Sequence, residues 1–209
     1  MAVAPRALTE HTKNWLMVVP LVVLVNLLIM VGSSSNWWDI SWYRADIMQG
    51  QVWRVMTGHF QHLGWNHWLM NQLGFALILW LLPMLVLKFR WLLACAVGAV
   101  SIGSALLLTD IEGYVGLSGI LYLLLCYGTL IDKTIPIKIK TLLLSVVLLK
   151  VAVEQFWPEL NSSTEAYIGG FVAIDAHLFG SFIGIGMALA ERGLSRLRSK
   201  GLPAEEGLS

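Results

Sequence analysis

A serine set between glycines, a histidine beside a glycine notch and a histidine–asparagine pair are the residues of this 209-residue chain whose types and spacing could do chemistry. The stretch "GYVGLSGILY" (residues 113–122) puts Ser118 shortly after Asp110 and Glu112, where a hydrophobic helix is expected to begin. A helix amino terminus presents unpaired backbone N–H groups and the positive end of the helix dipole. A hydroxyl there could attack a carbonyl while those donors receive the developing oxyanion, and Gly116 and Gly119 permit the close approach and unusual dihedrals of such a turn. A serine becomes nucleophilic only with a base within hydrogen-bond reach. His177 opens "HLFGSFIG", one turn from a small-xxx-small notch formed by Gly180 and Gly184, so a helix packed in that notch meets the imidazole. His67 and Asn71, four apart, share a helix face and could both donate to a negative oxygen. Taken singly, each feature has a plainer account: glycines for helix packing, histidine as an interface residue, His67/Asn71 as an interhelical hydrogen bond. Taken together they form a set for acyl transfer. Asp175 lies two residues before His177 and points elsewhere on a helix, so it is not counted as a third member.

The elements that must position these residues are hydrophobic spans. The chain is 57% hydrophobic and only 13% charged, against about 25% charged for a soluble domain, and its mean hydropathy is +0.71. A net charge of +1 and the lack of a basic stripe interleaved with aromatics point to no nucleic-acid partner. Cys95 and Cys126 lie in apolar runs, which argues against a disulfide framework. Polar breaks divide the chain into six runs: Trp15–Val31, Trp68–Leu82, Trp91–Leu108, Gly119–Ile131, Thr141–Val153 and Gly170–Ala190. The expected fold is therefore an all-α polytopic membrane protein, a six-transmembrane-helix bundle, with a cytoplasmic segment at 1–14, a six-span core at 15–190 and a cytoplasmic tail at 191–209 ending in the disordered "LPAEEGLS". A full crossing takes roughly 20 apolar residues, so the fourth and fifth runs are short, shielded by neighbours or starting below the membrane surface. The first run imitates a signal peptide, but its length and the lack of a small-x-small cleavage site favour an uncleaved helix.

Charge sets the expected orientation. Arg6 and Lys13, Lys88 and Arg90, Lys133, Lys138 and Lys140, and the tail residues Arg192, Arg196, Arg198 and Lys200 are 11 of the 14 Lys and Arg, and they fall on every second connection. The positive-inside rule puts those connections and both termini in the cytoplasm, with the three polar sets near the outer ends of their spans. The first connection holds or abuts six of the ten tryptophans, so it is expected to lie partly submerged along the outer leaflet.

The sequence resembles the rhomboid family of intramembrane serine proteases in Trp53-Arg54, "HWLMN" (67–71), "GLSG" (116–119) and "AHLFGSFIG" (176–184), in the family's order and on spans two, four and six. The resemblance covers about Trp53 to Ala190. It implies a Ser118–His177 dyad without an acidic partner, and an oxyanion hole of His67, Asn71 and the Ser118 N–H. Tyr122 would stack on the histidine ring, with Gly116, Gly119, Gly180, Gly184 and Arg54 in supporting roles. The tryptophan-rich loop and fifth span would flank the access route of an unwinding substrate helix. The implied partners are membrane protein substrates and the lipid bilayer, with neither metal nor cofactor, and the implied location is a bacterial inner membrane with the active site towards the periplasm. "TGHFQHLGWNHWLMN" (57–71), the bare core and "GYVGLSG" also resemble the rhombosortase branch, which is associated with processing carboxy-terminal Gly-Gly anchors, whereas Tyr122 resembles general rhomboids. His59 and His62, spaced by three, depart from the pattern of some members and read as interfacial or water-retaining.

Three other readings compete. A metal hydrolase would use His59, His62 and His67, but no H-E-x-x-H or adjacent acidic base is present. A non-proteolytic rhomboid-like scaffold would bind transmembrane helices, yet such relatives typically lack the serine or the histidine. A transporter would need intramembrane carboxylate pairs or repeat symmetry.

Overall fold

The computed structural model describes residues 5–201, so the expected tail at 202–209 lies outside the described residues. The described chain is almost wholly helical. In order it runs α1 (Pro5–Ser34), β1 (Trp42–Tyr43), α2 (Arg44–Met48), α3 (Arg54–Thr57), α4 (Trp65–Leu81), α5 (Pro83–Leu87), α6 (Arg90–Ala105), β2 (Gly113–Tyr114), α7 (Ser118–Ile131), α8 (Ile137–Phe156), α9 (Ser162–Ile168) and α10 (Ile174–Gly201). Each of the six apolar runs lies mainly on a separate helix: α1, α4, α6, α7, α8 and α10. Among the described residues three segments qualify by length and hydropathy to cross a membrane, Thr9–Ser34, Arg90–Leu108 and Ile174–Leu197, and Ser118–Ile131 is a shorter apolar helix. The fifth run is longer than its apolar core suggests: α8 extends through Lys138 and Lys140 at one end and Glu154 at the other.

The molecule is built around α7. Its residues Ile120, Leu123 and Leu124 are fully buried, packed among Phe75 and Leu79 of α4, Ala94, Ala99 and Ile102 of α6, and Ala176 and Ala188 of α10. The outward faces are apolar as well, including Leu21, Leu24 and Leu28 on α1, Leu73 and Leu77 on α4, and Leu142, Val146 and Leu149 on α8. An apolar exterior around an apolar core is unlike a water-soluble bundle, whose outer faces are polar, and suits a hydrocarbon surround.

Glycines set the closest helix pair. A Cβ at Gly180 would collide with the Gly119 carbonyl oxygen, and one at Gly184 would lie 2.5 Å from that of Leu123. The expected notch therefore seats α10 backbone-to-backbone on the first turns of α7. α1 lies along α4, where the Trp15 indole N–H donates to the Ala76 carbonyl at 2.9 Å and His11 Nε2 to Leu79 at 3.1 Å.

The long first connection is a folded unit rather than a slack loop. Trp42 is fully buried with its indole N–H on the Gly103 carbonyl (2.9 Å), while Trp37, Trp53 and Trp65 are exposed. β1 and β2 pair antiparallel, Trp42 with Tyr114 and Tyr43 with Gly113. Arg44 spreads its guanidinium over the carbonyls of Leu106, Leu107, Thr109 and Ile111. The segment leading to Ser118 is thereby stapled to the first connection before α7 begins.

Candidate active site

Ser118 is the first residue of α7, so its own N–H and the next ones have no partner within the helix. The approach to it turns at Gly116, whose φ of +119° an L side chain rarely adopts. A Cβ there would also lie 2.6 Å from the His67 ring and 3.6 Å from Asn71 Nδ2. Glycine is required at 116 on both counts. Gly116 is then held in place: its N–H donates to the Gly58 carbonyl at 3.2 Å, and its carbonyl accepts from the Tyr114 hydroxyl at 2.5 Å.

α10 brings its histidine across the glycine seam. Ser118 Oγ–H donates to His177 Nε2 at 2.9 Å. The Tyr122 ring, one turn along α7, stacks on the imidazole at 4.2 Å between centroids and 11° between planes. On the far side His177 Nδ1 lies 2.9 Å from Glu154 Oε2. A carboxylate only accepts, so Nδ1 carries the proton and the Nε2 lone pair faces the serine. The expected pair without an acidic partner is thus corrected: an acid is present, contributed by α8. Glu154 is 1% exposed. Its Oε1 accepts from Lys150 Nζ at 2.6 Å, and Lys150 also donates to Asn161 Oδ1 at 3.2 Å.

α4 supplies the third side. The Leu63 N–H donates to His67 Nδ1 (3.4 Å), which leaves Nε2 as the donor nitrogen of a neutral ring. Asn71 Nδ2 is buried without a hydrogen-bond partner. An orphaned buried donor is costly, and this one stands beside Gly116, on the same cavity as Ser118. His67, Asn71, Ser118, Tyr122, Glu154 and His177 all line one cavity of about 280 Å³. A larger hollow of about 590 Å³ shares Val115, Phe171, Val172 and Ala173 as a common wall and carries Asp175 on its lining.

Several expectations end elsewhere. Arg54 stands apart from the cavity and organises the first connection, donating to the Ser41 carbonyl at 2.6 Å and pairing with Asp46 at 3.2 Å. His59 is neither interfacial nor water-facing: it is fully buried, donates from Nε2 to the Ala99 carbonyl at 3.0 Å and places Nδ1 2.9 Å from the Tyr114 hydroxyl. Burial pushes its imidazole down to about 4, so it is neutral at pH 7. His62 is buried with neither ring nitrogen paired, edge-on to His67 at 5.1 Å, and burial lowers it to about 3. Among the described residues no group of three or more His, Cys, Asp or Glu is placed to hold a metal ion, so His59, His62 and His67 are not gathered as ligands.

Two contributors were missed from sequence. Glu154 had one available signal, a Lys150–Glu154 pair at i,i+4 spacing at the outer end of an apolar run. The Arg44 staple had none, since its partners are backbone carbonyls.

The Rhomboid domain family model matches residues 49–193, from the folded first connection to the inner part of α10. No curated protein matches the chain. With the match covering well over half of its length and all the residues around the cavity, the chain belongs to the rhomboid family, which comprises in general intramembrane serine proteases acting on membrane proteins.

Proposed function

We propose that this chain is an intramembrane serine endopeptidase that cleaves transmembrane or membrane-anchoring segments of its substrates, with Ser118 as nucleophile and His177 as base. The single observation that carries the reading is the 2.9 Å contact between Ser118 Oγ and His177 Nε2 across two separate helices, at the edge of a cavity holding an unpartnered Asn71 donor. Nε2 takes the hydroxyl proton as Oγ bonds to the scissile carbonyl carbon. The carbonyl electron pair moves onto oxygen, where Asn71 Nδ2–H, His67 Nε2–H and the Ser118 N–H receive it. Collapse breaks the C–N bond, the departing amine takes the proton from Nε2, and water repeats the sequence on the acyl-enzyme.

The chain spans the bilayer six times with both termini in the cytoplasm and the cavity opening towards the periplasm of a bacterial inner membrane. Support comes from the basic connections and from the shortness of α7: fourteen residues are about 21 Å against roughly 30 Å of hydrocarbon, so Ser118 sits below the surface. A substrate helix has no free backbone in lipid, so it must unwind to present a carbonyl, which favours small or helix-breaking residues at the cut. The likeness of residues 57–71 to rhombosortases supports carboxy-terminal Gly-Gly anchors as substrates.

The test compares membrane and secreted proteomes of cells carrying the wild type, Ser118→Ala or His177→Ala. Truncated products present only with the wild type are expected. Small residues at their new carboxy termini mark the rhombosortase substrates, and a broad set of single-span proteins marks a general rhomboid. Full processing by Ser118→Ala removes the reading.

A further inference from the structure

Resting on that reading, we infer that Glu154 is the positioning residue of the catalytic base, which makes the hydrolytic unit a three-residue relay assembled from α7, α8 and α10. The two carboxylate oxygens divide their work: Oε2 faces His177 Nδ1 at 2.9 Å and Oε1 faces Lys150 Nζ at 2.6 Å, with the Tyr122 hydroxyl 3.5 Å away. A carboxylate this deeply buried is tolerated only when its hydrogen bonds are satisfied. A role limited to neutralising Lys150 would need one oxygen, and Lys150, whose side chain is half exposed, could be solvated without it.

The geometry instead leaves the imidazole no freedom. Tyr122 fixes its plane, Ser118 meets Nε2, and Glu154 fixes which nitrogen carries the proton. Lys150 and Asn161 hold the acid in turn. Glu154 takes no proton in the reaction. It holds Nδ1–H in place and faces the imidazolium that forms when Nε2 accepts the serine proton.

The test uses full-length protein in proteoliposomes with a reporter transmembrane helix, comparing wild type, Ser118→Ala, Glu154→Gln and Glu154→Asp. Cleavage kinetics, labelling of Ser118 by a serine-directed phosphonate, and melting temperature are recorded for each. Glu154→Gln is expected to lower kcat by roughly a hundred- to ten-thousand-fold with KM nearly unchanged, and to slow labelling in parallel. Glu154→Asp, which keeps the charge, is expected to recover part of both. Wild-type kcat and labelling in Glu154→Gln, while Ser118→Ala is inert, overturn the relay and leave the protease standing. A change in KM with wild-type labelling also overturns it, because that marks a substrate contact. Should Glu154→Gln not fold, Glu154→Asp decides: a wild-type kcat overturns the inference, and a lowered kcat at unchanged KM supports it. Cleavage by Ser118→Ala is the separate outcome that overturns the reading beneath it.

Discussion

Asn71 is the residue whose environment speaks most directly for a reacting partner. Its amide nitrogen is buried and unpaired although other hydrogen-bonding side chains, among them those of His67, Ser118 and His177, line the same cavity. A resting site that keeps a donor unsatisfied is stabilised when a negative oxygen arrives, which is the differential binding that accelerates a reaction. Asn71→Ala is expected to lower kcat by about a hundred- to a thousand-fold with little change in melting temperature, measured on a reporter helix; a wild-type rate would remove Asn71 from the proposed oxyanion site. Ser118, His177, His67 and Asn71 were legible in the sequence because hydrogen-bonding side chains interrupting apolar runs are conspicuous. Glu154 was not, since a charge at a helix end reads as interfacial until the partner on another helix is seen.

Between elements, the α7–α10 seam fixes the distance from Ser118, the proposed nucleophile, to His177, the proposed base. Its contacts are backbone against Cα, with the Gly180 position meeting the Gly119 carbonyl, so neither side can yield by rotating a side chain. Gly180→Val must push α10 away at a cost of at least about 1–3 kcal/mol. The expected result is a lower melting temperature and loss of cleavage and phosphonate labelling together; an unaffected variant would mean the helices separate without consequence. The seam was readable from the four-residue glycine spacing. The β1–β2 ladder was not: a two-residue pairing has no periodicity, and the Arg44 staple fixes the Ser118 approach through carbonyls that every residue possesses.

For the whole molecule, two neutral histidines buried in and beside the first connection link stability to acid. His59 and His62 are held down to about 4 and about 3 by burial. A group depressed on folding contributes its full stability above the unfolded value near 6.5 and loses it as pH falls towards the folded value. At pH 5 each is worth up to about 2 kcal/mol of lost stability. Melting temperature in detergent should therefore hold steady from pH 8 to 7 and fall between 6.5 and 4; a flat profile across that window would contradict the burial. The bundle of apolar helices was legible from hydropathy, but the packed first connection was not, because tryptophans that belong at headgroup level and the Trp42 that belongs in the core have the same letter.

α8 is held lightly: of its twenty residues only Val147, Val151 and Glu154 are buried, and the rest of its length faces outward or lines hollows. Its tilt is then set as much by the surrounding acyl chains as by protein contacts. Because the carboxylate that meets His177 rides on this rod, the proposed proteolysis is expected to depend on bilayer thickness and lateral pressure, the same polypeptide working at different speeds in short-chain and long-chain lipids without a change in any residue.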